Sequence, residues 1–278
     1  MTYATLMVHL EFGGSNAGLL HIAADLAERC HASVIGIGVC QPLQPVSSNM
    51  GDWYISGDVV EFDREEIDRE DKAAEAEFRD AMKYRAKDVE WRSALTFDTL
   101  SGYLAMQSRC ADLIITGVSP SALANASRHS DTTNLILQAG RPVLIVPKGG
   151  DKLRLERIVI GWKDTREARR AAFDALPLLK WATHVAVVEI AAEPDLTSAR
   201  ARLADVAGWL ERHGVAASPV AARSNGADAA ELNEIVQRQG ADLIVAGAYG
   251  HNRLREWVLG GVTRDLLLRA DRCVLVSH

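Results

Sequence analysis

Short apolar runs alternate with stretches of helical periodicity along most of this chain. In the second half, apolar runs that predict strands fall at residues 157–161, 184–190, 217–222, 242–247 and 273–277. Between them, apolar residues recur at the spacing of amphipathic helices, predicted at 165–179, 198–213, 227–239 and 262–270. Continuous apolar strands separated by helices are typical of a parallel sheet covered on both faces.

The first half repeats this order, with strands predicted at 6–10, 34–39, 91–97, 112–117 and 143–146. The sequence Ala-Asp-Leu-Ile occurs at residues 111–114 and again, 130 positions later, at residues 241–244. Near the start of each half the offset is 151 positions, so the first half carries about 21 extra residues. The segment 41–61, which contains Pro42, Pro45 and Gly51, is predicted to be this inserted loop.

Two copies of one unit follow from these offsets. We predict an α/β protein with two tandem doubly wound domains, each with a five-stranded parallel sheet flanked by helices. The predicted domains are residues 1–147 and 157–278, joined by the charged, glycine-containing linker 148–156.

Composition agrees with a soluble globular protein, since 48% of residues are hydrophobic and 24% are charged. The sequence has no apolar stretch long enough for a membrane span and no secretion or transit signal, so a cytoplasmic location is expected. The four cysteines lie far apart, which indicates neither disulfides nor a zinc site, and we expect buried thiols.

The charge is unevenly shared between the halves. Residues 1–150 hold 13 basic and 20 acidic residues, whereas residues 151–278 hold 18 and 17. The second half is therefore better suited to a phosphate ligand, and the acidic chain as a whole argues against nucleic-acid binding. Ten of the twenty residues 61–80 are acidic, which predicts an exposed amphipathic helix with Phe62, Ile67, Ala74 and Phe78 on its apolar stripe.

A glycine pattern follows the fourth strand of the second repeat. Gly247 and Gly250 are separated by two residues, and after nine more residues Gly260 leads into a predicted helix. Glycines there allow close approach of a ligand, and free amides at a helix start attract an anion. This is neither a dinucleotide-binding fingerprint nor a P-loop, which disfavours a dehydrogenase and a Walker-type NTPase. The candidate phosphate-binding residues are Gly247, Gly250, Gly260, Gly261, Val262 and Thr263.

With this motif and strand order, the chain resembles a tandem pair of the universal stress protein family. Nucleotide-binding members carry Gly-x-x-Gly, nine residues, then Gly-Ser/Thr at the same place. The resemblance implies that ATP or a related adenine nucleotide, with or without magnesium, binds in the second repeat. It also implies that Trp162 and Asp164, after the first strand of that repeat, line the adenosine pocket. We see no paired carboxylates placed for magnesium.

Two departures from the family pattern concern individual residues. Gly261 replaces the Ser or Thr hydroxyl, and Lys163 stands where the family often has Asp, with Asp164 one place later. The alternative for Asp164 is structural, because residues 164–167 resemble a capping box in which Asp164 caps a helix and Glu167 bonds back.

The first repeat departs further. Gly117 keeps the first glycine, but Pro120, Ser130 and Asp131 replace the other three. Proline has no amide to donate, and a carboxylate at a helix start repels phosphate. We therefore predict that this repeat does not bind nucleotide and that Asp131 caps its own helix.

Motifs for an activated nucleophile are missing from the sequence, so a sensing role in stress response, through an unidentified protein partner, is favoured over catalysis. A slow ATPase or other small-molecule enzyme remains an alternative, as does a nucleotide-independent interaction module. Family members commonly pair through their last strands, so a tandem chain can pair residues 143–146 with 274–276 as an internal pseudo-dimer. A further homodimer also remains open.

Overall fold

The computed structural model describes residues 2–43, 57–118, 128–248 and 271–278. The chain divides into two compact units. The N-terminal unit is Ala4–Ala139, and the C-terminal unit is Gly140–His278 together with Met1–Tyr3.

The N-terminal unit contains four parallel strands in the order β3-β2-β1-β4. Its elements are β1 (Thr5–Leu10), α1 (Ala17–Cys30), β2 (Ser33–Cys40), α2 (Gly57–Met82), β3 (Val89–Leu95), α3 (Leu100–Gln107), a 3₁₀ turn (Ser108–Cys110), β4 (Leu113–Gly117) and α4 (Thr132–Ala139).

In the C-terminal unit, five parallel strands take the equivalent order, and a sixth strand pairs with the last of them in the antiparallel direction. Its elements are β5 (Val143–Val146), β6 (Arg157–Gly161), α5 (Arg166–Asp174), α6 (Leu176–Leu179), β7 (His184–Ala191), a 3₁₀ turn (Glu193–Asp195), α7 (Leu196–Arg212), β8 (Ala217–Arg223), α8 (Asp228–Gln239), β9 (Leu243–Gly247) and β10 (Cys273–Ser277). The strand order is β8-β7-β6-β9-β10-β5.

Helices lie on both faces of this sheet. Crossovers between parallel strands are right-handed, and the strand order reverses direction at β6, so α5 and α7 lie on one face and α8 on the other. Double coverage explains why the apolar runs do not alternate, since four of five residues of β9 and all five of β10 are buried.

The repeated Ala-Asp-Leu-Ile sequence has a structural role that is the same in both units. Asp112 Oδ2 accepts hydrogen bonds from the amides of Ala4 and Thr5 at 2.8 and 3.0 Å. Asp242 Oδ2 accepts the equivalent bonds from Glu156 and Arg157 at 2.9 and 3.2 Å. In each unit the aspartate therefore joins the start of the fourth strand of the repeat to the start of its first.

The predicted α/β class with parallel sheets and flanking helices is confirmed, and several boundaries are corrected. The strand predicted at 91–97 is β3, which begins and ends two residues earlier. The helix predicted at 165–179 is divided at Ala175, before Pro177, which has no amide to continue it. The predicted loop 41–61 was too long, because α2 already begins at Gly57.

Helix α2 confirms the predicted amphipathic helix at three of four stripe positions. Ile67, Ala74 and Phe78 are buried, whereas Phe62 is 64% exposed. Exposed charge pairs such as Lys72–Asp68 and Arg79–Glu75 lie on its outer face. The predicted helix 262–270 lies outside the described residues.

Strand β5 belongs to the C-terminal unit because it pairs antiparallel with β10. Leu144 lies opposite Leu275, Ile145 opposite Val274, and Val143 opposite Val276. The predicted pairing of the two last strands is therefore found. Because β5 pairs with β10, the boundary between the two units falls at residues 139–140, before β5, whereas the predicted repeat boundary falls at residue 147, after β5.

The thiol prediction holds for Cys30, Cys40 and Cys273, which are buried, but not for Cys110, which is exposed. All four cysteines are free. Among the described residues, no helix combines the length and apolar character that crossing a membrane requires.

Candidate functional site

The order of strands in the C-terminal unit reverses at β6, whose two neighbours are β7 and β9. In such sheets a ligand-sized crevice forms beyond the carboxyl ends of the strands at the reversal. Gly161 is paired with Ala246 near the ends of β6 and β9, so Gly247 and Trp162 follow at the same edge. The structure thus brings Gly247 and the Trp162–Asp164 segment to the reversal point.

Gly247 is held close to the first turn of α5. A Cβ atom added at Gly247 would lie 2.5 Å from both the Ala168 amide nitrogen and the Glu167 carbonyl carbon. Any side chain here would collide with backbone, so close packing of β9 against α5 by itself requires this glycine. Gly117, the equivalent residue of the first repeat, has no described atom within 4 Å of such a Cβ.

The first turn of α5 is capped by Thr165, not by Asp164. The Thr165 hydroxyl accepts a hydrogen bond from the Ala168 amide at 3.3 Å. Asp164 is 56% exposed and pairs with Arg169 at 3.4 Å, so the predicted Asp164 cap is wrong. Threonine and aspartate are both good caps, and the turn after β6 places the threonine at the helix start.

Glu167 is buried in that turn and accepts hydrogen bonds there. Burial alone would raise the pKa of its carboxyl group, but hydrogen bonds from Arg166, from its own amide and from Thr165 outweigh burial and lower that pKa. Its negative charge close to the amides of the first turn is favourable.

Trp162 and Lys163 extend the end of β6. The Trp162 amide donates to the Val188 carbonyl at 2.7 Å and continues the ladder with β7. Its indole is 8% exposed, and Nε1 has no hydrogen-bond partner among the described residues. Lys163 is exposed and forms no ion pair with a described residue, which leaves a positive charge at this edge.

Several candidate residues of the site lie outside the described residues: Gly250, Gly260, Gly261, Val262 and Thr263. The same is true of Pro120 in the first repeat. Their assignment to a phosphate site stays a prediction, as does that of Gly247. The assignment of Trp162 and Asp164 to an adenosine pocket also stays a prediction.

The equivalent edge of the N-terminal unit is filled by the protein's own polar groups. His9, near the end of β1, is 2% exposed, and its Nδ1 lies 3.0 Å from the Thr116 hydroxyl at the end of β4. Burial, reinforced by the nearby His129, lowers the pKa of His9 to about 4. The histidine is therefore neutral at pH 7.

A buried ionic network covers this edge from the side of α2. Arg128 donates to Asp63 at 3.1 Å and to Glu70 at 2.6 Å, and its side chain is 14% exposed. A Cβ at Gly13, in the loop after β1, would lie 2.9 Å from Glu70 Oε1, so the network reaches that loop. The sequence patterns did not reveal this network because Arg128 and Asp63 are 65 residues apart in the chain. The one available signal was the spacing of Asp63 and Glu70, which are seven residues apart and therefore lie on one face of α2.

Asp131 performs the role predicted for it. Its Oδ1 accepts hydrogen bonds from the amides of Thr133 and Asn134 at 2.9 and 3.2 Å, at the start of α4. Beside it, His129 Nδ1 lies 3.3 Å from Glu11 Oε2. Asp131, which stands where the second repeat has Gly261, therefore carries a carboxylate already engaged with its own helix.

No group of three or more His, Cys, Asp or Glu side chains within the described ranges is arranged to hold a metal ion.

Fold and site together define a two-repeat α/β protein whose second repeat carries a glycine at the end of β9, where the strand order reverses. Residues 155–278 match the model of Usp, the universal stress protein family. The resemblance to this family is thereby confirmed over the second repeat. No curated protein is a significant match to the chain.

Solved structures match the full length of the chain at low sequence identity. A universal stress protein from Archaeoglobus fulgidus DSM 4304 gives a TM-score of 0.73 at 12% identity, covering 98% of this chain and 95% of that one. A putative universal stress protein from Pseudomonas aeruginosa UCBPP-PA14 gives 0.64 at 17% identity, covering 99% and 93%. At these identities the likeness concerns the fold.

Proposed function

We propose that the chain is a tandem universal stress protein whose second repeat binds one adenine nucleotide as a cytoplasmic sensing module. The observation that carries the proposal is the position of Gly247 at the reversal of strand order, inside the segment that matches the family model. The family resemblance assigns the phosphates to the backbone of Gly250, Gly260 and the following residues. The exposed Lys163 at the same edge supports binding of an anion.

The first repeat supports a stoichiometry of one nucleotide per chain. Its corresponding edge contains the His9–Thr116 contact and the Arg128 network, and Asp131 already accepts the amides of Thr133 and Asn134 at the start of α4. Asp131 would also repel a phosphate directly.

Calorimetry of the full chain with ATP, ADP and AMP tests the proposal. We expect about one site per chain, and at least a tenfold loss of affinity in Gly260→Ala, because a methyl group there would hold the ligand away from the backbone amides. Gly117→Ala is the matched control and should retain the affinity. Gly247→Ala is a poor probe, since it displaces α5 whether or not a ligand binds.

Other outcomes separate the alternatives. The absence of binding by all three nucleotides would reject the proposal and favour a nucleotide-independent interaction module. Two nucleotides per chain would reject the one-site model. If the parent chain releases phosphate from ATP and Gly260→Ala abolishes that release, the slow-ATPase alternative would be favoured over a sensing role.

A further inference from the structure

Strand β3 is an edge strand of the N-terminal unit, and no described strand pairs with its outer side. Towards β2, the Asp88 carbonyl accepts from the Val34 amide at 2.8 Å, and the Thr96 amide donates to the Cys40 carbonyl at 3.0 Å. Backbone groups alternate in direction along a strand, so the even-numbered residues of β3 bond to β2. The N–H and C=O groups of its odd-numbered residues therefore point outward.

The corresponding edge strand of the C-terminal unit, β8, carries a proline on its outer side. In both units the first residue of the edge strand pairs with the second residue of its neighbour, so Pro219 of β8 is equivalent to Trp91 of β3. The Ser224 amide donates to the Ala191 carbonyl of β7, which makes Pro219 an outward-facing position. Proline has no N–H to offer another strand and is a common block on sheet edges. Strand β3 has no such block.

The charges on β3 are complementary to those of a second, antiparallel copy of the same strand. Glu90 and Arg92 lie on one face of β3, and Arg92 Nε is 2.8 Å from Glu90 Oε1. If two copies pair about Trp91, each Glu90 lies opposite Arg92 of the other copy, at the close positions between hydrogen-bonded pairs. Pairing about Arg92 would instead place two arginines opposite each other, and pairing about Ser93 would oppose Arg92 to an alanine. The charges therefore select a second copy in one register.

Exposed apolar side chains lie near both ends of β3. Leu95, the last residue of the strand, is 51% exposed, and Phe97 is 66% exposed. Tyr84, in the turn that precedes β3, is 92% exposed. Antiparallel pairing brings the carboxyl end of one strand to the amino end of the other, so Leu95 and Phe97 would approach Tyr84 of the second copy and remove apolar surface from water.

We propose that the outer edge of β3 is a homodimer interface, in which two copies of the chain pair their β3 strands antiparallel about Trp91. The Val89 amide is already bonded to Asp88 Oδ1, so the amides of Trp91 and Ser93 are the donors to the second copy. Two seven-residue strands bury less than the roughly 1,200 Å² of a stable complex, so we expect a dissociation constant on the order of 100 µM. This interface does not depend on nucleotide binding.

Sedimentation equilibrium of the full chain, from about 5 µM to about 1 mM, tests the interface with proline variants. Ser93→Pro removes an outward N–H from β3, as Pro219 does in β8, and should weaken association at least tenfold. Ala221→Pro is the matched control, because Ala221 is the equivalent outward-facing residue of β8, and it should associate like the parent. Ser93→Ala removes the hydroxyl but keeps the amide, and should also associate like the parent.

A pair of charge reversals tests the register. Glu90→Arg and Arg92→Glu each place like charges opposite each other in a dimer paired about Trp91, so each variant alone should associate about fivefold more weakly than the parent. An equal mixture of the two variants should associate as well as the parent, because every opposed pair then has opposite charges. Circular dichroism of each variant establishes that it is folded.

Three outcomes would overturn the proposal. One is a parent chain that stays monomeric up to about 1 mM. Another is equal loss of association in Ser93→Pro and Ala221→Pro, which would mean that the β3 edge has no particular part in it. The third is a mixture of the charge variants that associates no better than either variant alone. If Ser93→Pro does not fold, this mixture decides between the two results by itself.

Discussion

Asp112 and Asp242 occupy equivalent positions in the two repeats and form the same pair of hydrogen bonds, each to two consecutive amides at the start of the first strand of its repeat. The conserved spacing within the chain is thus explained by one local function, used twice. A carboxylate here holds the first and fourth strands of a repeat in register at their amino ends.

We expect Asp112→Ala and Asp242→Ala to destabilise their units by similar amounts, about 1–2 kcal/mol each, because each leaves two amides without their charged acceptor. Urea unfolding of the full chain measures this. Asp151→Ala, in the exposed linker segment, should change stability by less than about 0.5 kcal/mol. A large effect in only one unit would contradict the equivalence.

Arg128 is the cation of a largely buried network, and its removal leaves Asp63 and Glu70 facing each other. Arg128→Met should lower the free energy of unfolding by about 3 kcal/mol, because two poorly solvated carboxylates lose their partner. Arg69→Met, an exposed residue on the same helix as Asp63, is the control. A change below about 1 kcal/mol in Arg128→Met would show that water solvates the network.

His9 makes stability depend on pH. Because the pKa of His9 is about 4 in the folded state and near 6.5 when unfolded, the unfolded chain binds this proton first as pH falls. The contribution of neutral His9 is complete above pH 6.5 and is lost progressively down to about pH 4. Between pH 7.5 and 4.5 the parent should lose about 2–3 kcal/mol relative to His9→Gln, which cannot titrate.

The free energy of unfolding is measured at each pH for the parent protein and for His9→Gln. The difference between the two isolates the effect of His9 from that of the carboxylates, which titrate in the same range. A stability difference between parent and His9→Gln that does not change with pH would contradict the burial of a neutral imidazole.

The corrected cap of α5 gives a paired test. Thr165→Ala should destabilise the protein by about 1 kcal/mol, because the Ala168 amide loses its acceptor. Asp164→Ala, one residue earlier and exposed, should change stability by less than about 0.5 kcal/mol. Thermal unfolding of both variants decides the matter, and the reverse order would restore Asp164 as the cap.

Gly247 and Gly117 give a second matched pair. Gly247→Ala should destabilise the C-terminal unit by about 2 kcal/mol, because the added methyl group collides with the backbone of α5. Gly117→Ala places its methyl group within 4 Å of no described atom and should be nearly neutral. If both variants unfold at the same urea concentration, β9 and α5 adjust to the methyl group more easily than their packing indicates.

The sequence by itself determined the class of fold, the duplication and most strand positions, since apolar runs and helical periodicity are local patterns and β6 and β10 begin and end where those patterns do. The sequence also distinguished the two repeats, because Asp131 of the first repeat stands where the second has Gly261. The structure confirms that Asp131 caps its own helix. These features depend on residues close together in the chain.

The tertiary structure decided what depends on residues distant in sequence. It assigned β5 to the C-terminal unit through pairing with β10, brought Arg128 to Asp63, and placed His9 against Thr116. Each of these is a contact between residues far apart in the chain, and the geometry that creates it exists only once the strands are paired.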